Sequence, residues 1–156
     1  MTQSYSEKST LSGIGKFGTL SELLKRNLKV QITFGNFKKI AKITTGNINH
    51  MKIHVIYPDG IEKYIKVKTS RTKRFVTNWQ KYRNNTSKQP DYWVIVHIDE
   101  KNNSHYHVLT HTELGGLQAM RAGCSPEEIG SEGVDNILLE HIADSENRWD
   151  KIEKRK

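Results

Sequence analysis

At 156 residues the chain has the length of one ordinary domain, enough to bury a real core. With 27% charged residues and no apolar run near the ~18 residues that a membrane span requires, a helical membrane protein is excluded. A single cysteine, Cys124, excludes an internal disulfide, and a polar start without the apolar core of a secretory signal gives the expectation of a reducing cytoplasm.

The net charge of +8 is unevenly spread. Residues 1–90 hold 18 Lys and Arg against 4 Asp and Glu, net +14, whereas residues 91–156 hold 7 against 13, net −6. A basic part of this kind favours contact with a polyanion, and the acidic third is a solvated flank or a surface for a protein partner.

Residues 1–12 lack periodicity and are rich in Ser and Thr, the composition of a flexible terminus, so the domain is expected to span 13–156. Gly13-Ile14-Gly15-Lys16-Phe17-Gly18 leads into a short amphipathic helix marked by Leu20, Leu23 and Leu24. Its GxGxxG spacing follows no predicted strand and has no acidic residue in 30–45, so a dinucleotide site is not inferred. Residues 28–34 (LKVQITF) alternate as a half-buried strand, and the basic stretch 37–49 fits either a short helix or a strand.

Residues 51–69 read as two strands joined by the Pro58-Asp59-Gly60 turn, because Pro presets φ, Asp bonds its own backbone and Gly accepts φ > 0. Alternation places Lys52 and His54 on one face of the first arm, and Glu62, Tyr64, Lys66 and Lys68 on one face of the second. A helix is predicted over 72–84, with Phe75, Trp79 and Tyr82 at helical spacing. Trp79 and Tyr82 could stack on bases, but that spacing assigns them to the core first. Arg71, Lys73 and Arg74 at the helix start would face a phosphate together with its backbone N–H groups.

Residues 92–98 (YWVIVHI) form a continuous apolar run, the mark of a central strand covered on both faces, and 105–110 pair back with it. A helix over 113–121 ends at Gly123, and a last helix carrying Trp149 covers about 143–153. Cys124, in Gly123-Cys124-Ser125-Pro126, reads as a half-buried loop thiol before it reads as a nucleophile. His97, His105, His107 and His111 could supply a two- or three-His metal site; without a Cys, and with Asp99 and Glu100 in a turn, half-exposed strand histidines are the plainer account.

The element order, together with Gly15-Lys16-Phe17-Gly18, residues 65–70 (IKVKTS), 91–96 (DYWVIV), 106–110 followed by Glu113-Leu114, and Asn147-Arg148-Trp149-Asp150, resembles the PD-(D/E)XK, or restriction-endonuclease-like, superfamily from about residue 13 to 153. The resemblance implies an α/β (α+β) fold with a central mixed sheet of about five strands flanked by helices. In that family a helix Glu, a strand Asp and a Glu or Gln two residues before a Lys hold Mg²⁺, since a hard divalent ion takes oxygen ligands. Here the Asp slot falls on Lys52, the Glu or Gln slot on Lys66, and Lys68 alone matches; the helix slot falls on Thr19, or on Glu22 in a shifted register.

Two unit charges ~4 Å apart interact by about 4 kcal/mol at an effective dielectric of about 20, so clustered ammoniums repel a metal and attract a phosphate. The expectation is a metal-free, cofactor-free nucleic-acid-binding protein, with DNA before RNA as partner, on a nuclease-like frame without metal-dependent cleavage. Lys52, Lys66, Lys68, Arg71, Lys73 and Arg74 are its phosphate-binding candidates. Two alternatives stand beside it. One is an active Mg²⁺-dependent endonuclease using Lys68 with Glu22, Asp59 or Glu62; the other is a homodimer or accessory subunit that binds a protein through the acidic third. The plainest account is that the lysines merely snorkel from a solvated sheet face.

Overall fold

The computed structural model describes residues 5–34, 45–83, 85–129 and 135–155. Most of the basic stretch 37–49 and part of the acidic loop after Ser125 lie outside them. The elements are α1 (Tyr5–Lys25), β1 (Lys29–Thr33), α2 (Thr45–Ile48), β2 (Lys52–Ile56), β3 (Glu62–Ser70), β4 (Arg74–Val76), β5 (Tyr92–Ile98), β6 (Ser104–Thr110), α3 (His111–Ala122), β7 (Asn136–Leu138) and α4 (Asp150–Glu153), with 3-10 turns between several of them.

The expected mixed sheet of five strands is present, in the order β1-β2-β3-β5-β6. Only β3 and β5 run parallel; the other neighbours are antiparallel. The β2–β3 hairpin closes as its sequence demands. Gly60 sits at φ 85°, its N–H bonds Tyr57 O at 2.8 Å, and the Asp59 carboxylate accepts from Ile61 N at 3.2 Å. Strand β5 lies between β3 and β6, with Trp93, Val94, Ile95 and Val96 all fully buried, so its unbroken apolar run serves two cores. One core sets Leu20 and Leu23 of α1, with Trp149 and Ile152, against Ile53, Val55, Ile65, Val67, Val94 and Val96. The other sets Phe75, Trp79, Tyr82, Leu114 and Ile137 against Trp93, Ile95 and Leu109. No helix among the described residues is long and apolar enough to cross a membrane.

Four expectations are corrected. Helix α1 begins at Tyr5, within the stretch expected to be a flexible terminus, and Ser9 and Leu11 are buried. It lies flush on the sheet because it lacks side chains at the crossings: a Cβ on Gly15 would stand 1.8 Å from Thr69 Oγ1, and one on Gly18 would stand 2.2 Å from the Tyr106 hydroxyl. The glycine spacing that resembled a nucleotide loop is thus a helix–sheet contact. Leu24, assigned to the apolar stripe, is 60% exposed.

The helix expected over 72–84 is absent. Phe75 pairs with Ile137 in a two-stranded β4–β7 sheet, and Asn78 turns into the left-handed region at φ 54°. Asp135 then holds Trp79 N at 2.7 Å at the start of the Trp79–Tyr82 3-10 turn. Phe75, Trp79 and Tyr82 are buried as their apolar character requires, but by a strand and a turn. The helix expected over 143–153 divides into the 3-10 segment Leu139–Ser145 and the short α4, separated by Asn147 at φ 55°.

Candidate functional site

The β2–β3 ladder pairs Ile53 with Ile65 and His54 with Tyr64, which carries Lys52 opposite Lys66 at the next step. On the other side of β3, Lys66 lies across from Trp93 and Lys68 across from Ile95. The alternation predicted for this hairpin therefore sets Lys52, Tyr64, Lys66 and Lys68 on one sheet face, the face that farther along carries the second core.

Two adjoining cavities open there. The larger, about 350 Å³, is lined by Lys16, Asn49, His50, Lys52, Tyr64, Lys66 and Lys88 and borders Met51, Ile53, Ile65 and Val67 of the first core. The smaller, about 270 Å³, shares Lys52, Tyr64, Lys66 and Lys88 and adds Lys81, Tyr82 and Asn85. Among the described residues no carboxylate lines either.

The helix contributes Lys16, which the helix slot on Thr19 or Glu22 does not predict. Its Nζ donates to Ile48 O at 2.8 Å and Asn49 O at 3.2 Å, so α1 and the turn before β2 hold it at the cavity. Thr19 is instead fully buried under the helix. The signal that could have found Lys16 is its place beside Gly15, the residue at which α1 meets Thr69 of β3.

Crowding shows in the proton affinities. Burial first, then the charges of Lys68, Lys81, Lys16 and Lys52, brings Lys66 down to about 7. Burial and Lys68 bring Lys16 down to about 8. Lys68 is lowered by burial and by Lys81, partly offset by the carboxylate of Asp135. Asp135 is held by Trp79 N, by Thr77 Oγ1 at 3.2 Å and by Gln118 Nε2 at 3.2 Å, all through one oxygen; its other oxygen is buried without a hydrogen bond. Lys52 Nζ stands 5.9 Å from the centre of the Tyr64 ring, and Tyr64 and Tyr82 are both aromatics of the smaller cavity.

The remaining candidates are dispersed. Arg71, Lys73 and Arg74 start no helix; they follow the end of β3, where Ser70 and Thr72 hydroxyls bond each other at 2.9 Å and Thr72 Oγ1 donates to Arg74 O. Their side chains are exposed, and Arg71 Nη1 donates to Asn102 Oδ1 at 2.8 Å beside a separate depression lined by Lys73, His97, Asp99 and Lys101. The displaced acids are engaged elsewhere: Glu22 with Arg26 at 2.7 Å and Lys25 at 3.4 Å, and Asp59 with Arg155 at 2.6 Å. Glu62 is exposed at the start of β3, across from Ile56.

Three of the four candidate histidines meet: His97, His105 and His107 line a cavity of about 400 Å³ with Asp99, Glu140 and Glu146, and the His97 and His105 rings stand 6.2 Å apart, whereas His111 lies apart against Trp79. His105 bridges Asp99 at 2.9 Å and Glu146 at 3.2 Å, which raises its proton affinity. His107 is buried with Nδ1 3.2 Å from Ile95 O. His111 stacks on Trp79 and accepts from Trp93 Nε1 at 3.0 Å, and burial lowers it to about 4. Trp79 donates its own ring N–H to His111 O at 2.9 Å and is buried, which commits it to the core and removes it from base stacking. No group of three His, Cys, Asp or Glu among the described residues is arranged to hold a metal ion. Cys124 packs against the second core.

No protein-family model, curated protein or solved structure matches this chain.

Proposed function

We propose that the lysine cavity is a phosphate seat and that the protein binds a nucleic-acid strand, DNA before RNA, on a restriction-endonuclease-like frame without metal-dependent cleavage. The observation that carries this reading is the convergence of Lys16, Lys52, Lys66 and Lys68 with no carboxylate in the cavity lining among the described residues. A hard divalent ion needs oxygen ligands, and this edge offers ammoniums in their place. Polyanion charge relieves the mutual repulsion of the lysines, so binding and protonation reinforce each other. A helix laid across a mixed sheet, with a parallel β3–β5 pair behind the site, supports the frame. Arg71, Lys73 and Arg74 extend the basic surface beyond the end of β3. The metal-dependent alternative draws no support from the placement of Glu22 and Asp59, which are ion-paired away from the lysines.

Titration of the full chain with labelled single- and double-stranded DNA and RNA over a salt series tests the reading. Affinity should fall with salt, and for duplex DNA the log–log slope should flatten by about 0.9 for each phosphate contact removed in Lys52→Ala, Lys68→Ala and the Arg71, Lys73 and Arg74 variants. Affinity should also fall as pH rises from 6 to 9, because Lys66 and Lys16 lose their protons in that window. Binding indifferent to salt would refute the proposal, and cleavage that requires Mg²⁺ would favour the displaced-acid alternative.

A further inference from the structure

Of the three lysines that line both cavities, Lys66 is half-buried, whereas Lys52 and Lys88 are exposed. Lys66 lies on the wall shared by the two cavities, with apolar Ile65 and Val67 on either side of it in β3. It is crowded by Lys16 from α1, Lys52 from β2, Lys68 from its own strand and Lys81 from the 3-10 turn, while β5 sets Trp93 across from it. His50, Tyr64 and Lys88 complete the titratable lining, and Asp135 acts on Lys68 rather than on Lys66. The half-buried amine, enclosed among cations, gives up its proton near pH 7, and near that pH its neighbours still supply ammoniums. This pairing of one nucleophilic amine with adjacent acids is what imine chemistry requires.

We propose that Lys66 is a Schiff-base nucleophile for an aldehyde carried beside a phosphate, with the ring-opened sugar of a base-less nucleotide as the form that suits a nucleic-acid strand. The Lys66 nitrogen pair forms a bond to the carbonyl carbon as the C=O π pair moves to oxygen. The nitrogen then gives up a proton and the oxygen gains one. A further proton delivered by the ammonium of Lys16 or Lys68 releases that oxygen as water and leaves a protonated imine. Amine and aldehyde thus give imine and water, with no change of oxidation state. The neighbouring ammoniums seat the phosphate that brings the aldehyde to Lys66. The choice of a nucleic-acid substrate rests on the function proposed above; the amine chemistry does not.

The neutral fraction of Lys66 grows between pH 6 and 8, so imine formation should rise over the interval in which phosphate affinity falls. The test incubates the full chain with cyanoborohydride and either pyridoxal 5′-phosphate or a short DNA strand containing an abasic site, and peptide mass mapping locates the reduced adduct. The expected result is labelling at Lys66 at least several-fold above any other lysine, increasing from pH 6 to pH 8, lost in Lys66→Met and retained in Lys154→Met, a substitution at an exposed lysine outside the site. Labelling of the unsubstituted protein that is spread over surface lysines, or is absent, would by itself overturn the proposal. Salt-sensitive binding of an intact strand without trapping of either aldehyde would remove the amine chemistry and leave the nucleic-acid reading. Trapping of pyridoxal phosphate at Lys66 with no affinity for any strand would keep the nucleophile and assign it to small phosphorylated aldehydes.

Discussion

One face of the sheet is divided between two kinds of environment that share a ladder. Trp93 and Ile95 of β5 are fully buried beneath Phe75, Trp79, Tyr82 and α3. Directly across from them on the parallel neighbour stand Lys66, which lines both cavities, and Lys68, which is set among other cations. Both strands have the same backbone geometry, so the difference lies in what covers them. Where α3 and the 75–82 segment reach, the face is a dry core. One strand further on the cover stops, and the same surface becomes a polar recess. The apolar half stabilises the fold, and the lysine half is maintained against its own charge repulsion.

Four substitutions separate the halves, in descending order of effect. Trp93→Ala should cost about 3–5 kcal/mol, seen as a lowered urea midpoint, since it empties a fully buried site and removes the donor to His111. Lys66→Met should act in the opposite sense, raising stability by on the order of 2 kcal/mol at pH 6, because it removes a cation held among like charges. The pH dependence has the same origin. Lys66 binds its proton with an affinity near 7 when folded and 10.5 when unfolded, so the unfolded state holds more protons between those values. Wild-type stability should therefore climb from about pH 7 toward pH 10, and the advantage of Lys66→Met should vanish at the upper end; urea unfolding at several pH values reads both. Thr110→Ala should cost about 1 kcal/mol, because Thr110 Oγ1 accepts from Glu113 N at 3.1 Å to cap α3, the helix that roofs the dry half. Lys52→Ala should change stability by less than about 0.5 kcal/mol while reducing polyanion affinity, since its side chain is more exposed than that of Lys66.

The parts of the site that are legible in the sequence are those set by a two-residue period. Alternation across a turn with its own chemistry places Lys52, Lys66 and Lys68 on one face without reference to any tertiary contact. The apolar run in β5 announces its central position in the same way. What is not legible depends on distant partners. Residues 74–76 become a strand only because residues 136–138 lie beside them, and Phe75, Trp79 and Tyr82 carry helical spacing by coincidence with the needs of a core. Lys16 is hidden for a related reason: its role follows from how closely α1 approaches β3, which no local pattern of charge records. Arg71, Lys73 and Arg74 form the basic cluster that their sequence spells out, but the helix that would have aimed backbone N–H groups at a phosphate does not form there.

The bare backbone of α1 at Gly15 has a consequence for any mutational survey of the protein. Gly15 is next to Lys16 in the chain and meets Thr69, the neighbour of Lys68, at the crossing. Any side chain there forces the helix away from the strand and takes the Lys16 ammonium with it. An alanine scan scored by ligand affinity would therefore mark Gly15 as a binding residue although it has no group with which to touch a ligand. The spacing between helix and sheet acts as a ruler that sets the reach of the cation that α1 supplies.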